Sequence, residues 1–324
     1  MKLFDLFPTP KFLNIADAGV SISERMVRFI SFGPGKKGEL HVNRSGEIPL
    51  TEGIVSSGEV RDKQRLIEVL SKLSKEQGIK FVRATLPEER TYLFTTSVEK
   101  VPYKDLRDSV AFVIEENAPV SLSKSLFAFE VVDSSNEVKV AVSVLPTDVA
   151  EDYIEVFESA GLTPVSFDIE SQAIARSLVK MGDERSHLII YLGHKRVGFY
   201  LVHDEVVQFS STLSADVSNS QDPELIKTLK AEIRKFFSFW SAKRDGGDIP
   251  NQKVERIIVG GPWAKDSKLV SSIMSDVETP YSLGNVWVNV CDTEKRLPDM
   301  PFDTSLAYAA AIGAALKESP REYV

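Results

Sequence analysis

The chain has 324 residues, 43% hydrophobic and 27% charged, which suits a soluble globular protein of two domains or one large subdivided domain. Its net charge of −8 argues against a general nucleic-acid-binding surface, because neutralising phosphates takes clustered Lys and Arg. A single cysteine, Cys291, excludes an internal disulfide framework, and four histidines without close His/Cys spacing give no zinc signature. No apolar run approaches the roughly 18 residues of a membrane span. The opening MKLFDLFPTPKF, interrupted by Asp5 and Pro8, lacks a signal peptide's apolar segment, so the expectation is a cytoplasmic protein.

Strand-like and helix-like segments alternate along the chain. FLNIA (12–16) and RMVRFISF (25–32) read as strands, followed by the turn-forming GPGKKGEL. RDKQRLIEVLSKLSKEQG reads as a helix with Leu66, Leu70 and Leu73 on one face and Gly78 as its left-handed stop. KFVRATL (80–86) is a buried strand. From about Leu86 the texture changes to a strand (RTYLFTTS), a helix (YKDLRDSVAFVIEEN), two strands joined by SSN (LFAFEVVD, EVKVAVSVL), and a helix, TDVAEDYIEVFESAG, with Thr147 as its expected cap. This unit precedes a return strand, TPVSFDIE (163–170), and reads as an inserted subdomain. After Ser186 come the strands HLIIYLG, VGFYLVH and EVVQFSSTL and a long helix, DPELIKTLKAEIRKFFSFWSAK. A strand into a double glycine (VERIIVGG), a helix, a strand and a final helix, TSLAYAAAIGAALK, complete the chain. The expected boundaries are 1–88 plus 164–185 for a first half, 89–163 for the insert, 186–318 for a second half and 319–324 for a tail.

LNIADAG (13–19) can be laid over HLIIYLG (187–193) without gaps, setting Asp17 opposite Tyr191 and Gly19 opposite Gly193. Two halves that each open with a hairpin suggest a duplicated architecture with a cleft between them. In such a cleft, hairpin turns offer backbone N–H groups to phosphate oxygens, and glycine permits the close approach. A carboxylate at a strand end can orient the waters of Mg²⁺. Asp17, Gly19 and Ser21 fit the first hairpin, with Asp17 acting on the metal through water. Gly193 fits the second, and Gly260-Gly261 fits a strand end against which a base and ribose lie. Ordinary turns and strand ends explain the same residues, and the basic tip His194-Lys195-Arg196 also reads as a solvated loop. Asp168 and Glu170 end the return strand and face the same cleft on this reading. Phe236, Phe237, Phe239 and Trp240 read as core packing. No P-loop, nucleophile-elbow or H-E-x-x-H pattern occurs.

In this order the segments resemble the type IV pilus assembly protein PilM family, which is actin-like and related to the cell-division protein FtsA. The residues that carry the resemblance are LNIADAG, GIVSSGEVRDKQRLIEVL, RATLPEERTYLFTTSVEKVPYKDLRDSVAFVIEENAPVSLSKSLFAFEVV, VLPTDVAEDYIEVFESAGLTPVSFDIESQAIARSL, IIVGGPW, YSLGNVW and LAYAAAIGAALK. The resemblance implies an α/β actin-like ATPase fold of two duplicated halves with a small inserted α+β subdomain. It also implies a cytoplasmic scaffold at the inner-membrane platform of the pilus. Its partners would be other platform proteins and the N-terminal cytoplasmic peptide of a PilN-like membrane protein, held between the insert and the first half. MKLFDLF then lies against a membrane or partner, or packs on its own domain. Departures from the family pattern imply a degenerate site for ATP and Mg²⁺. Tyr191 stands where nucleotide-binding members carry an aspartate, Pro262 replaces a third glycine, and only SADVSNSQDPE occupies the place of the adenine-side subdomain. The alternative is an active actin-like ATPase or small-molecule kinase.

Overall fold

The computed structural model describes residues 17–34, 40–133, 137–245, 253–296, 298 and 300–316. The expected strand 12–16, the MKLFDLF segment and the 319–324 tail lie outside them. In the first half, β1 (Asp17–Ile22), β2 (Met26–Pro34) and β3 (Leu40–Pro49) form a meander, followed by a ribbon of β4 (Val55–Ser56) and β5 (Glu59–Val60). Helix α1 (Lys63–Gln77) leads to β6 (Phe81–Leu86). Its start is fixed by Asp62, whose side chain accepts from the Arg65 N–H at 3.0 Å, and its end by Gly78 at φ +62. Leu66, Leu70 and Leu73 are fully buried, as their spacing requires.

The insert consists of β7 (Tyr92–Val98), α2 (Tyr103–Asn117), β8 (Ser125–Asp133) and β9 (Val138–Pro146). Its strands run in the order β7-β9-β8, and Leu106, Val110 and Ile114 of α2 pack with Val138, Val140, Val142 and Val144 in a core of its own. The chain returns through α3 (Thr147–Ser159), β10 (Thr163–Ile169) and α4 (Glu170–Leu178). Two expectations need correction here. Thr147 is not the cap of α3, because the helix is entered from Pro146 without a side-chain capping bond. Nor does α3 belong to the insert's core: Val149, Ala150, Tyr153, Val156 and Phe157 pack into the first half beside Leu66 and Leu70.

The second half comprises β11 (Ser186–Leu192), β12 (Arg196–His203), β13 (Val206–Ser214), α5 (Pro223–Asp245), β14 (Arg256–Gly260), α6 (Ser267–Met274) and β15 (Tyr281–Leu283). It closes with α7 (Phe302–Ser305) and α8 (Ala309–Ala315). Every residue of β11 is buried because its two faces pack into two cores, Ile189 and Tyr191 in one and Leu188, Ile190 and Leu192 in the other, which accounts for its unbroken apolar run. The final helix, expected to be continuous, is broken by a 3₁₀ turn at Leu306–Tyr308.

The two five-stranded sheets repeat one plan. The orders β10-β6-β1-β2-β3 and β15-β14-β11-β12-β13 match strand for strand, with the same parallel and antiparallel pairings. Between the sheets, α4 and α8 cross at close range. A Cβ on Gly313 would lie 1.7 Å from the Ala173 carbonyl oxygen, and one on Gly19 would lie 1.9 Å from that of Ala311. The run AAAIGAA is therefore small because both of its sides meet backbone. The core around it draws residues from both halves, including Ile30, Ile174, Ile189, Tyr191 and Ile312.

Candidate functional site

The duplicated hairpins meet across the cleft, and their pairing fixes which residues correspond. Ile22 pairs with Val27 at the end of the first hairpin, and Leu192 pairs with Val197 at the end of the second. Each turn closes in the same way: Ser23 N–H donates to Met26 O at 2.9 Å, and Gly193 N–H donates to Arg196 O at 3.0 Å. The equivalent residues are thus 170 apart (192 minus 22), so Ser21 answers to Tyr191 and Ser23 to Gly193. The gapless overlay that set Asp17 against Tyr191 and Gly19 against Gly193 was four residues out of register.

Asp17 and Gly19 accordingly sit inside β1, upstream of the turn. Asp17 is paired with Arg83 at 2.7 Å, and Arg83 also donates to the Ser166 hydroxyl at 3.1 Å, tying three strands together. Gly19 is the contact point of α8. Ser21, Gly193 and Tyr191 do line the cleft, with Ser23, Arg25, Arg28, His194, Lys195, Arg196, Glu89 and Glu170. Gly260 and Gly261 stand beside the second hairpin: Gly261, at φ +94, has three backbone atoms of Leu192 at 2.6–2.9 Å from where a Cβ would be. Asp168 and Glu170 do not form a carboxylate pair, since Asp168 binds Arg176 at 2.8 Å and Glu170 binds Arg196.

Several of the cleft's polar groups are already partnered. Burial pushes the Tyr191 hydroxyl up to about 12, and it donates to Ala307 O at 3.4 Å. The Trp263 indole N–H donates to His194 Nδ1 at 3.1 Å, which requires a neutral ring at that nitrogen; burial also pushes His194 down. The second turn is further held by Ala215 N–H on Lys195 O, Val217 N–H on His194 O and Trp263 N–H on Leu192 O. Largely buried Arg196 forms ion pairs with both Glu89 and Glu170. Burial raises Glu170 to about 7 despite Arg196, with Glu89 and Glu88 adding to the rise, and burial also raises Glu88. On the rim, Glu52 is shared by Arg25 and Lys195. The cavity left between these groups is about 60 Å³.

A larger cavity, about 290 Å³, opens at the root of the insert. It is lined by Gly58, Glu59, Val60, Arg61, Arg90, Asp148, Val149, Asp152 and Tyr153. One wall is the β4–β5 ribbon, another is the first turns of α3, and the floor is the chain entering the insert. Glu59 binds Arg61 at 2.5 Å and Arg90 at 2.8 Å, and Asp152 binds Lys63 at 2.6 Å. The Tyr153 hydroxyl donates to Gly58 O at 3.3 Å. No sequence signal singled out this groove, because its walls come from segments 90 residues apart. Among the described residues, no cluster of His, Cys, Asp and Glu could hold a metal ion, and no helix is long and apolar enough to cross a membrane.

A family model described as type IV pilus assembly protein PilM matches residues 19–214. Among solved structures, a PilM-PilN type IV pilus biogenesis complex superposes with a TM-score of 0.76 at 16% identity, covering 93% of this chain and 98% of that one. Ethanolamine utilization protein EutJ from Carboxydothermus hydrogenoformans superposes with a TM-score of 0.50 at 11% identity, covering 95% and 91%. No curated protein sequence matches the chain. These likenesses agree with the two-sheet architecture in giving an α/β actin-like fold.

Proposed function

The chain belongs to the type IV pilus assembly protein PilM family, and on that premise we propose that it is a cytoplasmic scaffold of the pilus assembly platform, holding an N-terminal peptide of a PilN-like membrane protein in the groove at the root of the insert. Peripheral attachment to the inner membrane through that partner, alongside other platform proteins, completes the reading. The groove supports it by its position in the first half where the chain enters and leaves the insert, beside Arg90 and Asp148, and by a volume near the low end of the roughly 300–1,000 Å³ of ligand pockets. Its lining carries Glu59, Asp148 and Asp152 beside Arg61 and Arg90, a mixed-charge surface that suits a polar peptide segment.

The nucleotide cleft is, on the same proposal, degenerate. The observation that carries this is the pair Ser21 and Tyr191, which occupy matching places before the two turns without a carboxylate between them. Hydrated Mg²⁺ favours anionic oxygen anchors, and Asp17 is committed to Arg83 inside the sheet. The remaining donors are largely engaged with protein partners, and Arg196 is neutralised by two carboxylates. This donor set does not fit a magnesium nucleotide.

Calorimetric titration of the whole chain with Mg-ATP tests the second part, the expected result being no binding tighter than about 100 µM. Tighter binding would return the protein to the ATPase or kinase reading. Titration with a synthetic peptide copying the partner's N-terminal cytoplasmic segment tests the first part. Binding that survives in Asp148→Lys/Asp152→Lys would show that the peptide sits elsewhere.

A further inference from the structure

The cleft and the groove meet at one three-residue turn. Glu88–Arg90 joins β6 to β7, and its charged side chains serve different sites. Glu89 pairs with Arg196 in the cleft, while Arg90 pairs with Glu59 in the groove at 2.8 Å. The turn is stiff: Thr91 N–H donates to Glu88 O at 3.1 Å and its hydroxyl donates to Pro87 O at 3.1 Å. The Glu88 carboxyl group accepts from Ser171 N–H at 3.1 Å, which ties the turn to the start of α4. On the groove side, the ribbon presses on the same turn. Gly58, at φ +76, leaves no room for a Cβ, which would lie 2.7 Å from Pro87 Cβ and 2.9 Å from Arg90 Cγ. An unbroken chain of contacts thus runs from Tyr153 through Gly58, Pro87, Arg90 and Glu89 to Arg196 and Glu170.

We infer that the turn Glu88–Arg90 couples the two sites, so that a peptide entering the groove and closure of the halves around Arg196 alter each other's free energy. The inference rests on the reading that the groove takes the partner's peptide. A peptide that competes for Glu59 or displaces Arg90 shifts a turn too short to absorb the movement, and Glu89 moves with it. The reverse follows by linkage, since coupling between two binding events is reciprocal. Arg196 does not line the groove, so its substitution probes the connection without touching the peptide.

The test compares amide hydrogen exchange in the full wild-type chain, Arg196→Met and Glu89→Gln, together with their affinity for the synthetic partner peptide. Exchange is expected to quicken about 5-fold or more at 193–197 and also at 56–61 and 148–153, and the peptide affinity is expected to change by a similar factor. Faster exchange confined to 193–197, or an unchanged affinity in both variants, overturns the coupling. Failure of the wild type to bind the peptide overturns the groove reading instead, and exchange at 56–61 then decides the coupling by itself. Should Arg196→Met not fold, Glu89→Gln, which keeps the side-chain shape, gives the same two outcomes.

Discussion

The two halves share a sheet plan and a hairpin geometry, yet they are packed differently. The first tip, Ser23-Glu24-Arg25, is held by the segment after β3, with Leu50 N–H on Arg25 O at 2.8 Å and Ser57 N–H on the Glu24 carboxylate at 2.7 Å. The second tip, Gly193-His194-Lys195, is gripped from two sides, by the segment after β13 and by Trp263. Below the tips the halves diverge. The first strand meets α8 backbone to backbone at Gly19, while the corresponding level of the second half is spaced by side chains. Duplication preserved register, whereas tight packing was assigned separately in each half. A glycine in one hairpin therefore says little about the glycine in the other.

The sharpest way to break that comparison is to give both glycines a methyl group. Gly19→Ala forces a Cβ to within 1.9 Å of the Ala311 carbonyl oxygen and 2.6 Å of Ala315 N, so α8 must move bodily. The expected loss is about 3 kcal/mol or more. Gly193→Ala meets Arg196 O at 2.7 Å inside its own turn, away from any neighbouring helix, where a loss of about 1–2 kcal/mol is expected. Urea unfolding of both variants measures the difference. Equal losses would mean that the two glycines are hairpin equivalents after all.

Installing the carboxylate is the next step. Tyr191→Asp removes a buried ring and places an acid near Glu170, with an expected cost of about 3 kcal/mol and no gain of tight Mg-ATP binding. Ser21→Asp tests the matching place in the first half, and neither substitution alone is expected to bring affinity below about 100 µM. Tight binding by either variant would show that one missing carboxylate was the whole defect.

These expectations separate what the sequence carries from what it hides. Periodicity exposed α1 and α2 because their buried leucines, valine and isoleucine recur at helical spacing, and the apolar run of β11 marked a strand. The duplication was visible too, but its register was not. LNIADAG and HLIIYLG look alike as letters, while the true match of VSISER with IYLGHK has no identities and is set by backbone pairing. Strand β3 was missed because its edge position leaves LHVNRSGEIP largely exposed and polar. The Arg196 cluster escaped because Glu89, Glu170 and Arg196 come from three separate segments, and only folding reveals that they share one charge environment.

That cluster yields a pH signature of its own. The folded value of Glu170, about 7, lies above its ordinary 4.5, so the folded state holds its proton more tightly than the unfolded chain. Its contribution to stability is full below pH 4.5 and is lost as pH rises through 7. Glu170→Gln removes that dependence, so the stability difference between pH 5 and pH 8 should shrink in the variant. A pH profile identical to wild type would place the buried proton on another member of the cluster.

The smallest expected effect bears on the residue that seemed most chemical in the sequence. Asp17 reads as a metal-side carboxylate, but its oxygen lies 2.7 Å from Arg83, and both side chains are mostly buried. Asp17→Asn keeps the shape, removes the charge and leaves Arg83 its bond to Ser166. Because the Asn oxygen still accepts from Arg83, the charge assistance of the bond is what is lost, and a loss of about 1 kcal/mol is expected in urea unfolding. Peptide affinity should stay at the wild-type value, because Asp17 lines neither the cleft nor the groove. Mg-ATP binding by the wild type that Asp17→Asn abolishes, with stability unchanged, would put Asp17 back in a nucleotide site.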